Sequence, residues 1–163
     1  MRIALAQINA TVGDLEGNTE KILGFADRAR DAGAALVGFP ELAISGYPPE
    51  DLLLNPLFIA RSKECLDEIV RRCSGITAVV GFPHRREDLY NAAAVIHHST
   101  LLGVYHKIYL PNYGVFDENR YFRAGKEPMI LFLGDIGIGI SICEDIWFPN
   151  GPVTAEALSA DAH

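Results

Sequence analysis

Apolar residues recur along this chain in short runs separated by turn-forming clusters, which predicts strands alternating with helices. Residues 2–9 form a first run rich in Ile, Leu and Ala, expected as a strand. A loop over 11–18 carries Gly13 and Gly17. Asn18 can cap a helix over 21–31, where Ile22, Leu23, Ala26 and Ala29 fall at helical spacing, with Gly33 as its stop. Residues 36–39 form a second strand, ending at Pro40-Glu41. The 45–49 stretch is a rigid turn and 50–55 a helical turn. Pro56 suits the first position of a helix running to Arg72, with Phe58, Ile59, Cys65, Leu66, Ile69 and Val70 as its buried stripe.

Residues 77–82 predict a strand and 83–88 a charged loop; 91–97 and 101–106 read as a hairpin turning at His98-Ser99-Thr100. The 108–128 stretch is long and irregular, yet it holds Tyr113, Phe116, Tyr121 and Phe122. A long loop with its own aromatics points to function rather than disorder. Strands at 129–133 and 136–142 flank a Gly134-Asp135 turn, and a helix is expected over 152–161. Strand, helix and strand in this order suggest a layered α/β fold.

The 136–142 run, with β-branched residues at 136, 138, 140 and 142, is expected to be a buried strand. Its small residues at 137, 139 and 141 allow close packing. It ends at a thiol followed by two carboxylates, Cys143-Glu144-Asp145. A cysteine where a buried strand turns outward suits a nucleophile, although a free cysteine is more often plain core packing.

Composition narrows the function without naming it. The chain has 163 residues, 49% hydrophobic and 21% charged, as in an ordinary globular domain. A net charge of -7 argues against nucleic acid and anionic membranes as partners. No signal peptide or bilayer-length apolar run is visible. The cysteines, 65, 73 and 143, are odd in number and make no C-x-x-C pair, which points to a reducing, cytoplasmic setting without disulfides or zinc. Cys65 and Cys73 are assigned to packing, and His97, His98 and His106 lack metal-ligand spacing.

Three ionisable residues each close an expected strand: Glu41, Lys107 and Cys143. If the strand ends share one rim, the residues converge. Cys143 would then be the nucleophile, Glu41 the base that takes its proton, and Lys107 the group that lowers the thiol pKa and stabilises an oxyanion. The Glu144 backbone N–H would be a second oxyanion donor. The chemistry is acyl transfer through a thioester.

The segments Gly38-Phe39-Pro40-Glu41-Leu42, His106-Lys107-Ile108-Tyr109-Leu110-Pro111 and Ile142-Cys143-Glu144-Asp145-Ile146-Trp147 resemble, in order and context, the Glu, Lys, Cys motifs of the carbon–nitrogen hydrolase (nitrilase) superfamily. Ser45-Gly46-Tyr47-Pro48-Pro49-Glu50-Asp51-Leu52-Leu53 and Leu110-Pro111-Asn112-Tyr113-Gly114-Val115-Phe116-Asp117-Glu118 are most similar to the glutaminase domains of the glutamine-dependent NAD⁺ synthetase family. The resemblance implies the N-terminal portion of a four-layer αββα nitrilase-type sandwich, with glutamine as substrate and ammonia passed on to amidate deamido-NAD⁺. It implies that Tyr113 and Phe116 line the glutamine pocket, that Glu144 binds the α-amino group, that Glu118 is an extra carboxylate beside the lysine, and that Tyr47 walls the pocket.

The same resemblance leads to the expectation that residues 1–163 are a partial glutaminase domain, inactive by itself. The rest of that domain and a synthetase domain using ATP and Mg²⁺ would lie elsewhere in a homo-oligomeric parent. No cofactor or metal is expected in this segment. The alternatives are another amidase or carbamoylase of the superfamily, or a non-catalytic, flavodoxin-like α/β interaction module.

Overall fold

The computed structural model describes residues 1–160. Five strands form one sheet in the order β1 (Ile3–Leu5), β2 (Leu36–Gly38), β3 (Thr77–Arg85), β4 (Leu89–His97) and β5 (Thr100–His106). The first three are parallel, and β4 and β5 return antiparallel. β2 and β5 therefore point the same way and finish at the same rim. β4 and β5 join through His98 and Ser99, both at positive φ (45° and 60°), as a two-residue hairpin turn requires.

Helices α1 (Leu15–Asp31) and α2 (Pro56–Arg72) cover one face of this sheet. Ile22, Leu23, Cys65, Leu66 and Ile69 meet Val37, Ala78, Val80 and Ile96 there. Each such side chain, fully buried, contributes about 1.5–3 kcal/mol. The other face carries Leu36, Ala93, Val95 and Tyr105, which pack against Leu131, Ile140 and Ile142. Leu131 and Ile140 belong to a separate two-stranded sheet, β6 (Met129–Leu133) with β7 (Ile136–Ile140). Helix α3 (Pro152–Ala160) lies on that hairpin's outer side, where Glu156 presses on Gly139. The layers run helix, sheet, sheet, helix, as expected. The final position of the helix expected over 152–161 lies outside the described residues. No helix among them is long and apolar enough to cross a membrane.

Several sequence expectations need correction. The first strand is only Ile3–Leu5: Ala6 N–H still bonds to Gly38 O at 2.9 Å, but beyond it the chain turns, with Ile8 N–H donating back to Ala6 O at 3.0 Å. Helix α1 begins at Leu15, where Asp14 accepts from the Gly17 N–H at 3.0 Å; Asn18 is a buried staple inside the helix. Its amide exchanges hydrogen bonds with the Thr11 backbone, both at 2.8 Å, and donates to Ile44 O at 3.0 Å. Half of the 83–88 loop is strand: Pro83–Arg85 continue β3, which pairs with β4 out to Arg85 and Leu89. The 136–142 run is not a buried strand throughout: β7 stops at Ile140 and is half open to solvent. Gly139 receives α3, and Ile138, Ile140 and Ile142 pack toward the main sheet, whereas Ile136 is exposed.

Candidate active site

Glu41 is placed by a crossing of chain segments. After β2 the backbone passes over β3 at Gly81, where any Cβ would strike the main chain of Pro40, Glu41 and Leu42. Leu42 takes φ 51°, and Ile44 N–H bonds to Gly81 O at 3.2 Å. Lys107 follows β5. Its N–H donates to Asn91 O at 2.9 Å, and its carbonyl accepts from Gly125 N–H at 2.8 Å. Backbone on both sides thus fixes the lysine stem, and its side chain is fully buried.

The Lys107 ammonium donates to Glu41 Oε1 at 2.6 Å and to Glu118 Oε1 at 2.9 Å. Glu118 comes from the short 3-10 helix Glu118–Arg120 within the long loop. Tyr47 OH donates to Glu118 Oε1 at 3.3 Å. Asn91 Nδ2, fully buried, donates to Glu41 Oε1 at 2.6 Å and to Glu118 Oε2 at 3.4 Å. Both oxygens of Glu118 are engaged, whereas Glu41 Oε2 receives no hydrogen bond from the described residues. Burial pushes the Glu118 carboxyl up, with the Lys107 charge pulling against it. Burial alone would lower the lysine, but the two carboxylates outweigh it and raise its pKa.

Cys143 opens a 3-10 turn, Cys143–Trp147, in the left-handed conformation at φ 45°. For a residue with a Cβ this costs about 1–2 kcal/mol. Asp145, fully buried, holds the turn in place. It accepts from Ile142 N–H at 3.0 Å and Tyr105 OH at 2.7 Å on one oxygen, and from Ile108 and Tyr109 N–H at 3.1 and 2.8 Å on the other. One carboxylate thus joins the cysteine turn to the segment that carries Lys107. Convergence occurs, but by a route the sequence does not reveal: Glu41 and Lys107 leave the main sheet, and Cys143 leaves the opposing hairpin.

The thiol is exposed, whereas Cys65 and Cys73 are buried. Its pKa is pushed up by burial of the sulfur and by the Glu41 charge; Lys107 pulls down but does not win. Lys107 lowers the thiol pKa as expected, but burial and the Glu41 charge outweigh it. The resting thiol is protonated at neutral pH and needs a base, and the free Glu41 oxygen can be one.

Glu144 follows the cysteine and accepts from Tyr113 OH at 2.9 Å. Phe116 meets Tyr113 edge-on, with ring centroids 5.7 Å apart. Behind Tyr47, Phe116 and Glu118 lies a cavity of about 510 Å³, also lined by Leu53, Tyr121 and Phe122. Cys143 does not line it, so the chemistry and not the cavity marks the site. All eight residues singled out in the sequence fall in this one region. Asn91 and Asp145 were not assigned roles there; a polar residue inside an apolar run (Asn91 in Tyr-Asn-Ala-Ala) is the one signal for the former. Among the described residues no group of three His, Cys, Asp or Glu side chains could hold a metal ion.

Residues 2–163 match the family model described as carbon-nitrogen hydrolase. The chain is 48% identical over 98% of its length to the glutamine-dependent NAD(+) synthetase of Aquifex aeolicus, covering 28% of that protein. It is 46% identical over its whole length to that of Thermotoga maritima, covering 29%. It thus spans under a third of the curated relatives it matches. Among solved structures, glutamine-dependent NAD+ synthetase from Acinetobacter baumannii superposes with TM-score 0.92 at 39% identity, over 96% of this chain and 30% of that one. A glutamate-to-glutamine mutant of the amidase from Nesterenkonia sp. AN1 reaches TM-score 0.79 at 30% identity, over 91% of this chain and 59% of that one, with acrylamide added at its active-site cysteine.

Proposed function

The chain belongs to the carbon-nitrogen hydrolase family, and from that premise we propose that it cleaves the side-chain amide of glutamine through a Cys143 thioester, as the glutaminase part of a glutamine-dependent NAD⁺ synthetase. The observation that carries the chemistry is the Lys107 ammonium held between Glu41 and Glu118, with one Glu41 oxygen left free near the thiol. Oε2 of Glu41 takes the Cys143 proton as sulfur attacks the carboxamide carbon. Lys107 has three N–H bonds and spends two on carboxylates; the third and the Glu144 N–H meet the oxyanion. As the intermediate collapses, Glu41 returns the proton to nitrogen and ammonia leaves. Water then attacks the thioester and gives a proton to Glu41, which restores the thiol as glutamate departs.

Glu144 distinguishes glutamine from a plain aliphatic amide. Its carboxylate, steadied by Tyr113, suits the substrate's α-ammonium. Phe116 and Tyr47 supply apolar walls. Amidation of deamido-NAD⁺ with ATP and Mg²⁺ is assigned to a synthetase domain rather than to these residues, in a homo-oligomer. The three free thiols support a reducing, cytoplasmic setting.

The test is turnover of glutamine and butyramide side by side in the full-length parent, since residues 1–163 are expected to be inactive alone, with rapid-quench mass spectrometry of the protein. A glutamyl adduct on Cys143, absent in Cys143→Ala, is expected. Butyramide hydrolysis with no glutamine turnover would assign the site to an aliphatic amidase instead.

A further inference from the structure

Asn91 stands at the start of β4 with its whole side chain buried. Its Nδ2 reaches both carboxylates that flank Lys107, at 2.6 Å to Glu41 Oε1 and 3.4 Å to Glu118 Oε2. Its Oδ1 is buried and has no hydrogen-bond partner. A buried acceptor left unpaired is costly. The two anions nonetheless require the amide's N–H₂ face to point at them, because turning the amide over would set its oxygen against both. The side chain gives up its own satisfaction to meet them.

We propose that Asn91 is a positioning residue for the base: together with Lys107 it occupies Glu41 Oε1, so that Oε2 is the oxygen presented to the Cys143 thiol. This rests on the reading of Glu41 as the base, not on glutamine as the substrate. The charged and titratable groups facing Glu41 are Lys107 after β5, Glu118 in the long loop, Tyr47 in the turn after β2, and Cys143 after β7. Without the Asn91 donor the anionic form of Glu41 loses support, and the acidic limb of any Glu41-dependent rate moves to higher pH. A side chain that merely filled space would lower the rate evenly at every pH.

The experiment is the pH dependence of acrylamide addition to Cys143 in the full-length parent, read by mass spectrometry from about pH 3.5 to about pH 8, which brackets the ordinary carboxylate range. Wild type, Asn91→Ala, Asn91→Asp, Asn91→Ser and Glu41→Gln are compared. Glu41→Gln should abolish the acidic limb. Asn91→Ala and Asn91→Asp should move it up by about one pH unit, and Asn91→Ser, which keeps a donor, by less. A limb unmoved in the Asn91 variants but lost in Glu41→Gln overturns the role of Asn91. A limb that persists in Glu41→Gln overturns the base reading beneath it. Should the alanine variant fail to fold, the serine and aspartate variants carry the same comparison.

Discussion

Lys107 Nζ lies 2.6 Å from Glu41 Oε1 with the lysine side chain wholly out of solvent, so the ammonium depends on Glu41, together with Glu118, to stay charged. Removing one partner of a buried pair costs far more than the pair itself contributes, typically about 3–5 kcal/mol.

In the full-length parent, Lys107→Ala is therefore expected to cut amide turnover by at least roughly a hundredfold and to destabilise the fold by about 3 kcal/mol. It leaves Glu41 and Glu118 facing each other without a cation between them. Chemical denaturation alongside turnover checks both effects. Wild-type turnover in a folded Lys107→Ala protein would remove the lysine from the mechanism.

Alkylation should separate the three cysteines. Cys143 is open to solvent, and burial raises the thiols of Cys65 and Cys73. Peptide mapping after brief treatment of the folded protein is expected to find label on Cys143 first. Faster labelling at Cys65 would contradict the nucleophile assignment.

Glu144→Gln and Tyr113→Phe should act on substrate choice rather than on bond cleavage. Both weaken a charged recognition group, so kcat/KM for glutamine should fall by roughly ten- to a hundredfold. Butyramide, which has no ammonium, should be affected little. Equal losses on both substrates would return Glu144 to a purely architectural role.

Glu156 supplies a pH test away from the chemistry. Burial pushes its carboxyl up, and the Asp145 charge adds to this, although Met129 N–H donates to it at 3.3 Å and pulls the other way. A raised folded pKa favours the protonated form. Its contribution is fully present below the ordinary carboxylate range, near 4.5, and is lost as pH rises through the folded value. Glu156→Gln should then be more stable than wild type at pH 8, with the gap closing toward pH 4. Urea midpoints at the two ends of about this range measure it. A gap that widens on acidification would reverse the sign.

Much of this was legible because local chemistry and tertiary role agree. Pro56 and a clean apolar stripe mark α2 at both ends, and the three motif residues sit where chain segments end. What escaped depends on partners distant in sequence. Gly81 looks like any glycine in an apolar strand until the 40–42 crossing is seen above it. Asn91 resembles a strand-end polar residue, and its meaning comes from Glu41 and Glu118, 50 and 27 positions away. The alternation over 136–142 signals a strand with one close-packed face but cannot say which sheet it joins. The same gap explains the thiol: its raised pKa follows first from burial and then from a local charge balance, neither of which three separated motifs display.

Asp145 gives its carboxylate to one structural task, clasping a turn of the outer hairpin to the chain leaving the main sheet. Sulfur and ammonium are thus mounted on opposite leaves of the sandwich, with that clasp between them. Catalysis then becomes a gauge of how the leaves sit against each other. Repacking at Leu131 or Ile140, buried between the two leaves, would slide one leaf and be read first as lost turnover, before a melting curve registers it.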